Sequence, residues 1–337
     1  MSENKKYYEA IDGLRTYAII GIVLMHCLKN GTYNFNGLTF NKIIPSFTNL
    51  VFLFMIISGF VMCCGYYDKV IYNRINIEQL YSKRYRKIGC FFSVLCIIDL
   101  IISPSKEALY EVFANITLCF GLLPNYNISV IGVGWFLGVV FIFYLLFPFF
   151  CYLLFNKKRA WLAFIISLIF NYLCETYFHT GRTNFIYCAV YFLNGGLIYL
   201  YRELIIDVTK KKKVYLVLAV ISMATVYYLI CESAIVLLIL FDLILIYSLT
   251  LNEQGFLINR FTKFIGKISM EIYLSHMVIY RFMESLGILK VLGESIISYV
   301  ICSISILIGT VLLTQIIKSC IYTVGLGCNR ILHLKKK

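Results

Sequence analysis

Charge is scarce in this sequence. Lys, Arg, Asp and Glu make up 14% of its 337 residues, where a soluble globular chain has about 25%. Apolar residues make up 61%, against roughly 45–50% in such a chain. No stretch is both polar and long enough to form a separate soluble domain, which excludes a water-soluble enzyme or module. The sequence also lacks a CxxC motif. Its 13 cysteines are scattered through apolar runs, and Cys63-Cys64 is the one close pair. They read as small apolar filler rather than a metal or disulfide framework. There is no internal repeat and no low-complexity tract. Lys5 and Lys6 precede the first apolar run, but no small-residue cleavage site follows it, so a removable signal is not expected. The net charge of +14 would suggest nucleic acid in a soluble protein; here its distribution serves topology, and no nucleic-acid partner is expected.

What is present is a series of apolar runs of membrane-span length. Ten are clear, near residues 14–28, 43–65, 88–103, 130–155, 160–178, 185–201, 214–231, 233–251, 265–282 and 296–317. The expectation is an all-α polytopic membrane protein, one domain over residues 1–337. A weaker run at 108–123 is about one turn short of a span and leads into Pro124-Asn125. The positive-inside rule decides whether it crosses. If it does not, and the N-terminus is cytoplasmic, 25 of the 31 basic residues lie inside and 6 outside; if it does, the split becomes 12 to 19. The first arrangement is therefore expected: about ten helices, both termini cytoplasmic, and an external re-entrant or interfacial segment at 105–129. Such a segment is tolerated at membrane depth only where protein or a cavity satisfies its backbone. The basic run from Lys210 to Lys213 fits a stop-transfer anchor against anionic lipid.

The first span begins Asp12-Gly13-Leu14-Arg15 and ends in Met25-His26. Eleven residues separate Arg15 from His26; at about 100° per residue this is three turns plus roughly 20°, so both lie on one helix face. The rise is about 16 Å, around half of a hydrocarbon core of roughly 30 Å. Asp12, three residues before Arg15, can pair with it. An ionisable group at that depth is costly unless it faces a cavity or a partner, so His26 marks either a functional site or a polar contact holding helices together.

Other stretches offer chemistry. Ser58-Gly59-Phe60 in the second span places a hydroxyl and a close-packing glycine near the cytoplasmic end, where small residues also serve plain packing. Lys83-Arg84-Tyr85-Arg86-Lys87 precedes the third span; it fits positive-inside charge or a phosphate clamp of guanidinium forks. Trp135-Phe136-Leu137 opens the fourth span, as an interfacial belt or an entrance to a site. In the ninth span Tyr273 and His276 are three residues apart and share a face, whereas Glu271 lies about 140° from His276. Asp242, in mid-span, must face a partner or a cavity. His179 and His333 fall in loops and receive no role.

Taken together, the Arg-x10-His span after Asp-Gly-Leu, Ser-Gly-Phe, the basic run, Trp-Phe-Leu and Ser-x3-Tyr-Leu-x-His resemble the membrane acyltransferase-3 family, in family order from about residue 8 to 280. The resemblance implies transfer of an acyl group, usually acetyl from acetyl-CoA, onto a hydroxyl of an extracytoplasmic glycan or lipid-linked saccharide. It implies that His26 is the essential residue and that Arg15 supports it. Acetyl-CoA is then a donor substrate, with no permanent cofactor and no metal. Asp12, Ser58, Gly59, Arg84, Arg86, Trp135, Tyr273 and His276 are the expected substrate-binding positions. The chain departs from the family where many relatives carry Arg-x-x-Arg, having Arg84-Tyr85-Arg86, and where some carry a glutamate after Trp-Phe-Leu, having Gly138-Val139-Val140. It ends at Lys337, so a fused hydrolase-like domain is not expected.

Acyl transfer needs a base for the acceptor hydroxyl or a nucleophile to carry the acyl group, and imidazole serves as either. The rival class is a transporter or flippase of a lipid-linked sugar, which would also want intramembrane charge and a basic loop; the missing repeat symmetry between halves speaks against it. In both cases the protein is a multi-pass protein of the cell membrane in contact with lipid. The charge split makes a direct prediction. Cysteine-accessibility labelling should find residues 157–159 and both termini cytoplasmic, and labelling of 157–159 from outside would overturn the ten-span arrangement.

Overall fold

The computed structural model describes the backbone of residues 7–102, 104–123, 131–251 and 253–334, and the side chains of these residues except at 290, 292 and 324–334. Lys5, Lys6, the polar patch from Pro124 to Val130 and Lys335 to Lys337 lie outside the described residues, as do the side chains of Lys290, Arg330 and His333.

All the described secondary structure is helical. The long helices are α1 (Glu9–Asn30), α2 (Leu50–Ile71), α3 (Ile77–Ile102), α5 (Trp135–Phe155), α6 (Lys157–Thr176), α7 (Phe185–Thr209) and α13 (Ile296–Leu334). Shorter ones are α4 (Lys106–Ile116), α8 (Lys213–Thr225), α9 (Ala234–Leu249), α10 (Arg260–Lys267), α11 (Ser269–Ser285) and α12 (Ile288–Leu292). Five helical stretches among the described residues are long and apolar enough to cross a membrane: Glu9–Asn30, Thr39–Ile71, Gly132–Phe155, Lys213–Ile230 and Ile296–Thr323. These coincide with five of the ten expected runs. Helices α3, α6 and α7 have the length, with 26, 20 and 25 residues, and α9 has the composition over a shorter stretch.

Helix α1 is the hub. It packs against α2, α9, α10, α11 and α13, and 67% of its most apolar window is buried, against 6% for Lys213–Ile230. That contrast separates an inner helix, hydrophobic all round because protein surrounds it, from an outer one whose apolar side chains point away from the protein. Val214, Tyr215, Leu218 and Ile221 on α8 are exposed, as a lipid-facing surface requires. With no aqueous driving force between helices in lipid, close packing depends on small residues. A Cβ added at Gly59 would lie 2.3 Å from the Phe192 carbonyl oxygen, and one added at Gly195 would lie 2.1 Å from that of Ile56. The two glycines thus let the backbones of α2 and α7 touch. Gly59 therefore has the close-packing role that a small residue in this span suggests.

The run at 265–282 is not one helix. Helix α10 is capped by Asn259 and Thr262, whose side chains each bond the other's backbone N–H. It ends at Ile268, with φ −109° and ψ 12°, before α11 begins. Gly266 draws α10 onto α1: a Cβ there would lie 2.2 Å from the Asp12 carbonyl oxygen. Ser269 Oγ donates to the Gly266 carbonyl at 2.9 Å, competing with the helical ladder at the break.

The segment after α3 stays short. Ser105 Oγ accepts from the Ala108 N–H at 2.9 Å and starts α4. Leu118, at φ 60°, turns the chain into a 3-10 turn at Cys119–Leu122. The 11 residues of α4 rise about 16 Å, half of a roughly 30 Å core. A Cβ added at Gly121 would lie 2.8 Å from Gly138 O, and one at Gly138 2.7 Å from the Phe120 ring. Gly138 and Gly121 thus let the 3-10 turn pack against the start of α5.

Replacing Gly195 with leucine forces α2 and α7 apart and should lower stability by about 1–3 kcal/mol or more. Replacing Gly181, which has open space around it, with alanine should be close to neutral. Thermal unfolding in detergent, followed by size-exclusion chromatography, compares the two; equal midpoints would show that the glycine contact is not tight.

Candidate functional site

Two cavities are lined in part by α1. The first is lined by Arg15, Ser58, Lys87, Tyr144, Lys267, Glu271 and neighbouring apolar groups. The second, about 320 Å³ in volume, is lined by His26, Lys29, Thr48, Trp135, Arg182, Arg281 and others. Tyr273 lines both. It is 3% exposed and meets the ring of Phe136, itself 1% exposed, edge-on at 5.2 Å. These two rings form the wall between the cavities. Spacing along α1 predicts one cavity that sees both Arg15 and His26; the structure divides it. The reason is tertiary: α11 and the start of α5 bring two aromatic side chains to the level between the two turns of α1.

Helix α1 is anchored at its N-terminal end. Glu9 pairs with Lys263 at 2.6 Å, and Thr16 Oγ1 donates to the carbonyls of Asp12 and Thr262 at 2.9 and 2.8 Å. A Cβ added at Gly13 would lie 2.2 Å from the Leu257 carbonyl oxygen. Acidic Glu9 and Asp12 in the first turn also suit the helix dipole. Asp12 accepts a short hydrogen bond from the Tyr7 hydroxyl and pairs with Arg15, Nη1 to Oδ1 3.6 Å, as the three-residue spacing predicts. With a side chain 23% exposed, Arg15 reaches the cavity, while Asp12, at 5%, stays behind it. Asp12 thus orients Arg15 and does not itself line the cavity.

The basic run before the third span lies on α3 and divides by helical phase. Lys87 lines the first cavity. Arg84 is half-buried, its guanidinium 4.5 Å from the Tyr66 ring centroid and 5.5 Å from that of Tyr144, a cavity-lining residue. Arg86 is exposed and lines neither cavity. Residues two apart on a helix point about 200° from each other, so Arg84 and Arg86 face different ways, and Lys87 is the member of the basic run that lines the cavity. Glu271 pairs with Lys318 at 2.5 Å. Ser58 lines this cavity as expected.

Around the second cavity, the His26 and His276 rings lie 5.0 Å apart between centroids. His276 is 1% exposed. Its Nδ1 is 2.6 Å from the Tyr273 carbonyl, and a carbonyl only accepts, so Nδ1 carries the proton. Nε2 is then a bare acceptor, and it is buried without a hydrogen-bond partner. His276 stands beside the cavity lining, and Tyr273 on the same helix stands in it. Asn30 Nδ2 donates to the His26 carbonyl at 2.8 Å. His26 lies one turn from the end of α1, which begins five residues earlier than its apolar run and so extends farther toward Arg15's side. Trp135 faces this cavity with the Arg182 guanidinium 5.4 Å from its ring. Asp242 is held by Asn194 at 2.5 Å, which supplies the partner its burial demands.

Sequence reasoning named Lys87 only as part of the basic run and overlooked Lys267 in the first cavity and Lys29, Arg182 and Arg281 in the second. Arg182 sits in a loop with no motif around it. The available signal was the rarity of basic residues on that side, not any local pattern.

A family model described as an acyltransferase domain, that of the acyltransferase 3 family, matches residues 8–315. The chain belongs to the acyltransferase 3 family. The match covers both cavities and their wall. No curated protein and no solved structure matches the chain. As an acyltransferase it needs a group that handles a proton or an acyl unit, and His26 and His276 form the imidazole pair at the second cavity. Removing His276 takes away the one buried ring beside His26. His276→Ala should lower acyl-transfer kcat by about tenfold or more, short of the roughly 10²–10⁴ of full general-base loss, without preventing membrane insertion. Full activity in that variant would leave His276 a packing residue.

Proposed function

We propose that this acyltransferase moves an acetyl group from cytoplasmic acetyl-CoA to a hydroxyl of an extracytoplasmic glycan or lipid-linked saccharide. We further take it to cross the cell membrane ten times with both termini cytoplasmic. The observation that carries the reading is the pair of cavities meeting at Tyr273. One is lined by Arg15, Lys87 and Lys267, the other by His26 and Trp135. A reaction that joins a donor on one face to an acceptor on the other wants this arrangement, since neither substrate then has to cross the membrane.

The first cavity has a volume of about 70 Å³. That suits the thioester end of acyl-CoA and leaves its phosphates outside, where Lys87, Arg84 and Lys267 offer cationic donors. In the base route, His26 takes the acceptor proton, the alkoxide oxygen attacks the thioester carbon, and the C–S bond breaks as the thiolate leaves and collects the proton. In the carrier route, an imidazole nitrogen attacks the thioester carbon and the C–S bond breaks as CoA thiolate leaves; the acceptor oxygen then attacks the acyl carbon, the C–N bond to the histidine breaks, and the acceptor proton passes through the released imidazole to the thiolate. Both routes require the thioester carbon to reach past Tyr273, so the wall must yield when the donor binds. A His276 that accepts at Nε2 can hold the N–H of His26 and direct the other nitrogen of that ring to the substrate.

Purified protein in nanodiscs should release CoA from acetyl-CoA in the presence of acceptor. His26→Gln keeps hydrogen bonding without basicity and should reduce transfer by about 10²–10⁴ or more. Substantial transfer by His26→Gln would make the histidine a helix contact. Lys87→Ala should raise the KM for acetyl-CoA about tenfold, as loss of a charge-assisted contact does, while Arg86→Ala should leave it within about twofold. No consumption of acetyl-CoA by inserted protein would overturn the transferase reading in favour of a lipid-linked sugar flippase.

A further inference from the structure

The second cavity is cationic beyond what acyl transfer to a neutral sugar needs. Lys29, Arg182 and Arg281 line it together with His26, and among the described residues no carboxylate does. Of the six basic residues assigned to the outer face, these are three. Positive charge is scarce on that side, so its collection in one cavity of about 320 Å³ is a local feature of the site and not the residue of a topological rule. None of the three makes an ion pair among the described residues. Asp99 lies within electrostatic reach of Arg281, and Glu284 follows Arg281 by three residues on the same helix, but neither is in the lining. Lys29 and Arg182 are both within electrostatic reach of His26.

Arg182 is held in position from two sides. Its Nη1 donates to Thr48 Oγ1 at 2.5 Å, and its plane lies over the indole of Trp135 at 5.4 Å. A guanidinium has five N–H donors in a fixed fork, so most of them remain for a ligand. The fork matches the geometry of a carboxylate or a phosphate. Trp135 supplies an apolar face of the kind that stacks on a sugar ring's C–H side. The volume is at the lower end of the range for small-molecule sites and suits one sugar unit of a larger acceptor.

We propose that the acceptor saccharide is anionic, with a carboxylate or phosphate seated among Lys29, Arg182 and Arg281 and a hydroxyl turned toward His26. This rests on the transferase reading for the role of His26, but the binding preference is measurable without turnover. The sequence has two tryptophans. Trp161 is remote from the cavity, bonded to the Tyr201 hydroxyl, so Trp161→Phe leaves Trp135 as the sole indole.

This single-tryptophan protein, in nanodiscs of neutral phosphatidylcholine, is titrated with methyl glucuronide, glucose 1-phosphate and methyl glucoside while indole emission is followed. One or both anionic probes should give a saturating change at concentrations where methyl glucoside gives none. A response to the glucuronide identifies a uronic-type acceptor, and one to the phosphate a phosphorylated acceptor. Arg281→Gln, which does not touch Trp135, should weaken the anion response about tenfold. Equal affinity for methyl glucoside, or no response to either anion, would overturn the proposal. Acetyl-CoA consumption assayed in parallel reports on the transferase reading by itself: loss of that reading with the anion preference intact is a separate outcome from loss of the preference.

Discussion

The approach of α1 to α10 holds the site together. Gly13 and Gly266 permit it: a side chain at either would strike a backbone carbonyl at 2.2 Å. Thr16 and the Glu9–Lys263 pair then lock the two helices in register. The consequences spread outward. Helix α10 cannot both lie against α1 and continue straight into α11, so the chain breaks at Ile268. The break lets α11 run beside the far half of α1, where it sets Tyr273 and His276 against His26. Lys267, at the end of α10, comes to face Arg15 across the first cavity. In a medium where lipid competes for no hydrogen bonds and apolar burial does not drive helix pairing, such small-residue contacts are the specific forces available.

The wall between the cavities gives the site its character. Two nearly fully buried aromatic rings, Tyr273 and Phe136, separate a basic recess from a larger cavity with a histidine. Aromatic pairs meeting edge-on contribute about 0.5–1.5 kcal/mol beyond burial, which is enough to hold a wall and little enough for substrate binding to move it. A closed wall keeps the two aqueous faces apart between turnovers.

The cationic lining of the second cavity and the scarcity of acids there divide the molecule electrostatically. In the first cavity, positive charge is partly answered by Asp12 and by Glu271, itself paired to Lys318. In the second, among the described residues, it is left for a ligand. A membrane protein retains an unanswered charge in a recess only where water or a bound anion solvates it.

The sequence by itself determined the membrane-spanning class, the helical fold and the family, because long apolar runs and five ordered motifs are local properties of a chain in lipid. It also determined that Asp12 pairs with Arg15, since a three-residue spacing fixes that distance. It brought His26, Tyr273 and His276 into one neighbourhood through their motifs, and left Ser58 open between packing and a site and Trp135 between an interfacial belt and an entrance. Tertiary structure alone decided the rest. Gly59 belongs to a helix contact because Phe192 is 133 positions away in the chain yet meets its backbone. Lys87 and not Arg86 lines the first cavity because only the packing of α3 says which face turns inward. Arg15 and His26 lie in different cavities because rings from two distant helices come between them. Lys29, Arg182 and Arg281 converge from three separate segments, and no period within any one of them encodes that meeting. Local spacing fixes what one helix presents; which helices face each other depends on close contacts distributed over the whole chain.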